Sequence, residues 1–270
     1  MNDTYILSVT TFIYFFAAFF YLISLTFRKR FADRAALVLV CSGCAAHTIA
    51  IVFRWVMSYR LGIGHAPLSN FYESLVFFSW TIIFVLLLLI RRYKHSLIGM
   101  FSSFFAFILL AYASLSGQVA YEIQPLIPAL QSNWLISHVI SSFLAYACFA
   151  ISFGASIFYL ISLKVRVSAD RNFWEEVTYK MISIGFVLLT LGIITGAAWA
   201  DRAWGRYWGW DPKETWSLIT WLIYGTFLHA RLVGKWKGVR MSLISVLGFL
   251  AVIFTYLGVN YVLSGLHSYL

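Results

Sequence analysis

The chain has 270 residues, of which 61% are hydrophobic, 19% aromatic and only 11% charged. Soluble domains carry about 25% charged residues, so this composition excludes an ordinary water-soluble fold and predicts an integral membrane protein. The net charge of +10 does not itself indicate nucleic-acid binding, because basic residues also orient membrane proteins.

Eight segments are long and apolar enough to be predicted as membrane-crossing helices, which need about 20 mostly apolar residues. In chain order they are 5–27, 35–57, 71–90, 96–115, 135–163, 180–199, 216–233 and 242–263. The predicted fold is therefore an all-α polytopic membrane helical bundle. No internal repeat or low-complexity linker interrupts the pattern, so residues 1–270 are predicted to form a single integral membrane domain.

The basic residues gather in alternate connections between the predicted helices. Fifteen of the twenty lysines and arginines lie in or beside the connections after the first, third, fifth and seventh helices. The positive-inside rule assigns that side of the membrane to the cytoplasm. Both termini, and the connection between the sixth and seventh helices, are then expected on the outer side, which is periplasmic or lumenal.

That outer connection, residues 199–216, has an unusual composition. Its sequence WADRAWGRYWGWDPKETW holds five tryptophans and six charged residues between two apolar runs. So many charges exclude a membrane span, and aromatic belts place tryptophan at helix ends without interleaved charges. A flat, largely apolar ligand with a polar edge, docked at a membrane face, needs both kinds of side chain. Haem has these properties.

The six histidines fall into distinct predicted environments. His138, His267 and His65 lie on the outer side, His229 and His47 lie inside predicted helices, and His95 lies in a basic turn where solvation is expected. For His65 alone, hydrogen bonding to backbone or water is the simpler interpretation. The other two outer histidines share a membrane face with the tryptophan segment, which makes them candidate ligands of haem iron.

The depth of His229 separates it from the outer histidines. It follows Trp216 by 13 residues, which is about 20 Å along a helix that rises 1.5 Å per residue. Two axial nitrogens on one iron lie only about 4 Å apart, given metal–nitrogen bonds near 2 Å. The sequence therefore predicts an outer haem site and, less directly, a second site within the membrane.

The run WGRYWGWDPKETWSLITWLIYGTFLHAR resembles the WWD domain of the cytochrome c assembly proteins, in particular the CcsA (ResC) type of the System II pathway. Segments 64–80, 134–147 and 258–270 agree, and the GLHSY ending favours this type over the CcmC and CcmF proteins. The resemblance implies cytochrome c biogenesis. It implies haem transport or presentation and covalent haem attachment to the CxxCH segment of apocytochrome c, on the outer side of the membrane.

The resemblance also implies roles for single residues. His138 and His267 would be the external ligands of haem iron on which attachment depends. His229 would be an intramembrane iron ligand, opposite a ligand from a CcsB (ResB) partner or from His47. The presenting platform would comprise Trp204, Trp208, Trp210 and Asp211.

Two assignments stay open at the level of sequence. Asp211 either orients an indole N–H within the platform or caps the helix that begins near Pro212. Arg202, Arg206 and Lys213 are equal candidates for pairing with the haem propionates.

The implied cofactor is haem b, as substrate and as bound ligand. The implied partners are a CcsB-type membrane protein, apocytochrome c and thiol-reducing thioredoxin-like proteins, in a bacterial inner membrane or a thylakoid membrane. The chain is either a subunit of a haem-attaching synthase or, alternatively, a haem chaperone or exporter of the CcmC type without ligation activity. A HemX-like protein of tetrapyrrole synthesis is disfavoured by the intact WGWDPKETW core.

Overall fold

A computed structural model describes residues 3–93, 95–116, 121–165 and 171–263. These ranges contain helices and no β-strand. The α-helices are α1 (Asp3–Phe27), α2 (Arg30–Arg60), α3 (Phe71–Ile90), α4 (Ser96–Leu115), α5 (Asn133–Val165), α6 (Arg171–Trp204), α7 (Pro212–Leu232), α8 (Val239–Ile253) and α9 (Val259–Val262). A π-helical segment, Phe254–Gly258, joins α8 to α9.

Seven helices in the described ranges are long and apolar enough to cross a bilayer: α1 to α6, and the continuous stretch Val239–Gly258. The prediction of an all-α polytopic membrane bundle is confirmed. The predicted span 216–233 does form a helix, α7, but it is not among the seven. Polar residues are spread along this helix, from Ser217 and Thr220 to Thr226, His229 and Arg231.

The predicted bounds of α3 and α4 are those observed, whereas α6 begins at Arg171 and not at residue 180. The first turns of α6 are polar, and an apolar window cannot detect them. They fold because Trp174 is buried against Phe158 and because Glu175 binds the turn between α7 and α8. Glu175 accepts hydrogen bonds from the Gly238 N–H at 3.0 Å and from Arg231 at 3.2 Å.

The helices group into two compact units, residues 1–130 and residues 131–270. Two groups of packed helices are compatible with one membrane domain, so the single domain stays a prediction. In the first unit α1 packs against α2 and α4, and α3 packs against the same two helices. Its buried core includes Tyr14, Val40, Phe78 and Leu86.

In the second unit α5 and α6 form the most extensive helix pair, α7 packs on α6, and α8 packs on α5 and α7. The pair α5–α6 is antiparallel, because residues near the start of α5 contact residues near the end of α6. Phe149 of α5 stacks on Tyr224 of α7 with ring centroids 3.7 Å apart. The π segment packs its Tyr256 on Phe143 of α5. The predicted outer site lies where α5 begins and α6 ends.

Candidate functional site

His138 lies in the second turn of α5 and contacts the last turns of α6. Its Nδ1 is 2.7 Å from the carbonyl oxygen of Gly192. Its ring stacks on the indole of Trp199, with centroids 6.1 Å apart and planes inclined by 20°. The side chain is half-buried. A carbonyl oxygen only accepts hydrogen bonds, so Nδ1 carries a proton. In the neutral ring, Nε2 then has the lone pair through which an imidazole binds a metal ion.

Trp199 contacts both His138 and Trp204. Its ring packs edge-on against Trp204, the last residue of α6, with centroids 4.9 Å apart. Trp199 is only 1% exposed, whereas Trp204 is half-buried. Both tryptophans belong to α6 and not to the loop that follows it. The contact of His138 with α6 therefore places this candidate iron ligand near the start of the loop.

The loop between α6 and α7 displays its aromatic rings on the surface. Trp210 is 68% exposed and Tyr207 is 64% exposed. Trp208 packs edge-on against Trp210 at a centroid distance of 5.7 Å. Trp208 is half-buried, so Trp210 is the exposed indole of this pair. Proteins bury most tryptophan surface, so an indole exposed to this extent marks a candidate binding surface.

Trp210 also has a strained backbone, with φ at +57°. A bulky residue in the left-handed region costs free energy and persists only where its surroundings enforce it. The enforcing group is Glu214, whose Oε2 accepts hydrogen bonds from the N–H of Gly209 at 2.7 Å and of Asp211 at 3.1 Å. One carboxylate therefore holds the residues on both sides of Trp210.

Asp211 caps α7. Its Oδ1 accepts a hydrogen bond from the Lys213 N–H at 2.9 Å, and together with Glu214 it forms a capping box. Its side chain is buried. Of the two roles left open by the sequence, helix capping is observed. Asp211 thus fixes the start of α7.

Replacing Glu214 by alanine is expected to loosen this loop without touching the tryptophan rings. Two backbone N–H groups lose their acceptor, which typically costs about 1 kcal/mol for a helix cap. Faster hydrogen exchange at Gly209 and Asp211, and easier quenching of tryptophan fluorescence by acrylamide, would be measured. Glu176→Ala is the control, because Glu176 pairs with Lys180 at an exposed site. Equal exchange rates in both variants would contradict the assignment.

Three cations lie in or next to the loop, and their environments differ. The Arg206 guanidinium lies against Gly209: a Cβ placed on that glycine would be 2.7 Å from Arg206 Nε. Arg206 is exposed and forms no ion pair within the described part of the chain. Burial lowers the pKa of the Lys213 ammonium to about 8, against the opposing attraction of Asp211. Arg202 is exposed on the last turn of α6.

Of the two remaining predicted iron ligands, His229 lies among the described residues and His267 does not. His267 lies outside the described residues, and its role stays a prediction. The chain that leads toward it does pack at this end of the second unit, because Phe254 of the π segment contacts Trp216 at a centroid distance of 4.2 Å. His229 is exposed on α7, near the end opposite the tryptophan loop. Its side chain therefore faces away from the core of its own unit.

The first unit holds the other three histidines. His47 is fully buried with its Nδ1 3.2 Å from the Tyr14 hydroxyl. Both ring nitrogens of His65 lie within 3.0 Å of backbone carbonyl oxygens, which confirms its interpretation as a backbone-bonded residue. The prediction that His95 is solvated is wrong, because it caps α4 and is half-buried. Burial lowers the pKa of its imidazole.

Sequence reasoning missed the residues that surround His138. Gly192 and Gly196 lie inside an apolar run and have no role in the sequence-based site, and Trp199 is grouped there with the loop tryptophans. Their positions 192, 196 and 199 follow the helical spacing that places side chains on one face. Together with a histidine in the preceding helix, this spacing is the sequence signal that could have predicted the contact.

Comparison with known proteins identifies the family of the chain. Residues 68–267 match the family model described as cytochrome c assembly protein. The cytochrome c biogenesis protein CcsA of Chlamydomonas reinhardtii is 41% identical over 231 residues, which cover 82% of this chain and 64% of the algal protein. CcsA of Guillardia theta is 39% identical over 252 residues, covering 84% of this chain and 82% of that protein. CcsA of Prochlorococcus marinus strain SARG is 36% identical, covering 86% of this chain and 83% of that protein.

A solved structure shares the fold. The cytochrome c haem lyase CcmF superposes with a TM-score of 0.73 at 17% identity, covering 95% of this chain and 47% of that chain. At this identity the likeness concerns the fold alone. The apolar helices thus define a polytopic membrane protein. The chain belongs to the cytochrome c assembly protein family.

Proposed function

We propose that the chain presents haem to apocytochrome c and takes part in its covalent attachment. The observation that carries the proposal is the pair of ring contacts from His138 to Trp199 and from Trp199 to Trp204, the residue after which the loop with the exposed Trp210 begins. A haem site needs an imidazole that binds the iron, here through Nε2 of His138. It also needs aromatic surface for the porphyrin ring, which the neighbouring tryptophans offer. The relatives named cytochrome c biogenesis protein CcsA support the same role.

The chemistry of attachment belongs mainly to the substrates. Each cysteine thiol of a CxxCH segment adds across a haem vinyl group: the sulfur bonds to one vinyl carbon and the proton goes to the other. No electrons are gained or lost overall. A thiolate is a good nucleophile, so the chain need not supply one. Its contribution is proximity and orientation, with His138 and His267 on the iron and the indoles against the macrocycle.

Arg206 is the cation best placed to bind a haem propionate. Its guanidinium is exposed and lies against Gly209, which stands between Trp208 and Trp210 in the sequence. An arginine also stays charged at all physiological pH values. The charge of Lys213, whose pKa burial lowers to about 8, declines as the pH rises above neutrality. Arg206→Gln is therefore expected to weaken haem binding about tenfold, the cost of one charge-assisted hydrogen bond.

Haem titration of the purified complex tests this assignment, with haem dimethyl ester as the second ligand. The ester lacks propionate charge, so Arg206→Gln should leave its affinity unchanged. Arg202→Gln is the matched control and should affect neither ligand strongly. If the two variants weakened haem binding equally, Arg206 would have no special role.

The proposed setting follows from the family. A CcsB-type partner would supply the second intramembrane ligand opposite His229, whose exposure on α7 leaves it accessible to another chain. The outer site would face the periplasm or thylakoid lumen, the bound group would be haem b, and thioredoxin-like proteins would keep the substrate thiols reduced.

The decisive experiment expresses this chain with its CcsB-type partner in a host that lacks every other cytochrome c assembly factor. Covalent cytochrome c, detected by haem staining after denaturing electrophoresis, would support a synthase. Haem that copurifies with the complex while no covalent product forms would instead support the chaperone function. A complex without haem and without product would overturn both.

A further inference from the structure

We propose that the last turns of α6 position His138 and fix its tautomer. Three features act on the ring: the carbonyl of Gly192, the absence of a side chain at Gly196 and the indole of Trp199. The inference rests on the proposed function, in which His138 binds haem iron. It assigns positioning roles to three residues that do not themselves contact the iron.

The first step concerns the tautomer. The Nδ1–H of His138 donates to the Gly192 oxygen at 2.7 Å. That oxygen lies within α6, so its place is set by the helix and not by a mobile side chain. Metal-binding histidines generally donate their other ring N–H to a carbonyl or carboxylate, which orients the ring and raises the basicity of the ligating nitrogen. Gly192 supplies this group to His138, and Nε2 is the nitrogen that binds iron in the proposed function.

The second step concerns the space that the ring occupies. A Cβ added to Gly196 would lie 2.6 Å from His138 Nδ1 and 2.9 Å from Cε1. Distances below 3.0 Å are not compatible with the observed ring position, so any larger residue at 196 must push the imidazole away. The absence of a side chain at Gly196 thus allows the ring to reach the Gly192 carbonyl.

The third step concerns the orientation of the ring plane. The rings of His138 and Trp199 are nearly parallel, inclined by 20°. Trp199 is almost fully buried and is held in turn by Trp204. A rigid indole beside an imidazole restricts rotation about its side-chain bonds. The direction of the Nε2 lone pair is therefore set by α6 and by the start of the tryptophan loop.

Gly196→Ala is the direct test, performed on the complex of the full chain with its partner. Haem occupancy should fall roughly tenfold or more, as for the loss of a group that orients a metal ligand. The remaining haem should lose the low-spin absorption spectrum of two nitrogen ligands, and added imidazole should restore it. A structural defect alone would lower the yield of folded protein without creating this response to imidazole.

Gly185→Ala is the matched control. A Cβ at Gly185 would lie 2.6 Å from Phe149, so the same substitution creates an equal clash between the same two helices, away from His138. It should lower thermal stability and preserve the haem spectrum. If Gly185→Ala and Gly196→Ala changed the spectrum alike, or if Gly196→Ala left it unchanged, the inference would be overturned.

A second measurement separates this inference from the proposed function. In the haem-free wild-type protein, nitrogen NMR with labelled histidine reports which ring nitrogen of His138 carries the proton, with His138→Gln used to assign the signal. A proton on Nδ1 is expected, whereas a proton on Nε2 would overturn the inference whether or not haem binds. Conversely, an unchanged haem spectrum in His138→Ala would defeat the proposed function and leave the tautomer result standing.

Discussion

His138→Ala and His267→Ala are each expected to lower the amount of covalent cytochrome c tenfold or more. The variant proteins should still accumulate in the membrane. Each change removes one nitrogen from the iron, so the haem loses its fixed distance and orientation toward the substrate thiols. Added imidazole should restore part of the product, because it fits the space left by the missing histidine ring and supplies a nitrogen ligand. Haem-stained cytochrome c per unit of complex is the measurement.

The control for these variants is His95→Ala. His95 caps α4 in the first unit, so its loss removes a histidine and a helix cap without changing the proposed ligand set. Product formation should stay near the wild-type level and should not respond to imidazole. Normal maturation in both the His138 and His267 variants would refute iron ligation at the outer site.

The sequence predicted the helices well where an apolar run ends abruptly. Asn70 caps α3 by accepting a hydrogen bond from the Glu73 N–H, and Arg91 and Arg92 follow its end, so the bounds 71–90 are those observed. Composition changes gradually at both ends of α6. Its polar first turns depend on contacts with distant residues, and its last turn continues to Trp204 through charged positions.

The candidate site could be located from the sequence but not built from it. Composition identified segment 199–216, yet it did not distinguish the buried Trp199 from the exposed Trp210. That distinction depends on where α6 ends and on the strained backbone that Glu214 enforces. The role of Gly196 could not be predicted either. In a sequence, a glycine that leaves room for an iron-binding histidine looks like a glycine that packs against any other side chain.

A further feature that the sequence did not predict is a buried ion cluster in the first unit. Arg54 of α2 donates to Glu73 of α3 and to Asp3 of α1, both at 2.9 Å. The side chains of Arg54 and Glu73 are only 5% and 1% exposed. The positive-inside count treated Arg54 as one cation on the outer side, whereas the structure makes it the group that connects three helices.

Arg54→Met is expected to destabilise the first unit by about 3–5 kcal/mol, the usual cost of leaving one partner of a buried ion pair without the other. The Glu73 carboxylate would keep only the Ser69 N–H and hydroxyl, each at 2.8 Å. Thermal unfolding of the protein in lipid nanodiscs measures the change. Lower accumulation in the membrane is expected as well, because a loss of this size is a large fraction of total stability.

Two comparison variants make this expectation specific. Arg54→Met combined with Glu73→Gln removes both buried charges and should recover part of the loss, since the uncompensated carboxylate causes most of it. Lys180→Met breaks the exposed pair with Glu176 and should cost no more than about 1 kcal/mol. If the double variant were as unstable as the sum of the single ones, the two charges would be acting independently. Arg54 would then stabilise the helices through packing alone and not through its ion pairs.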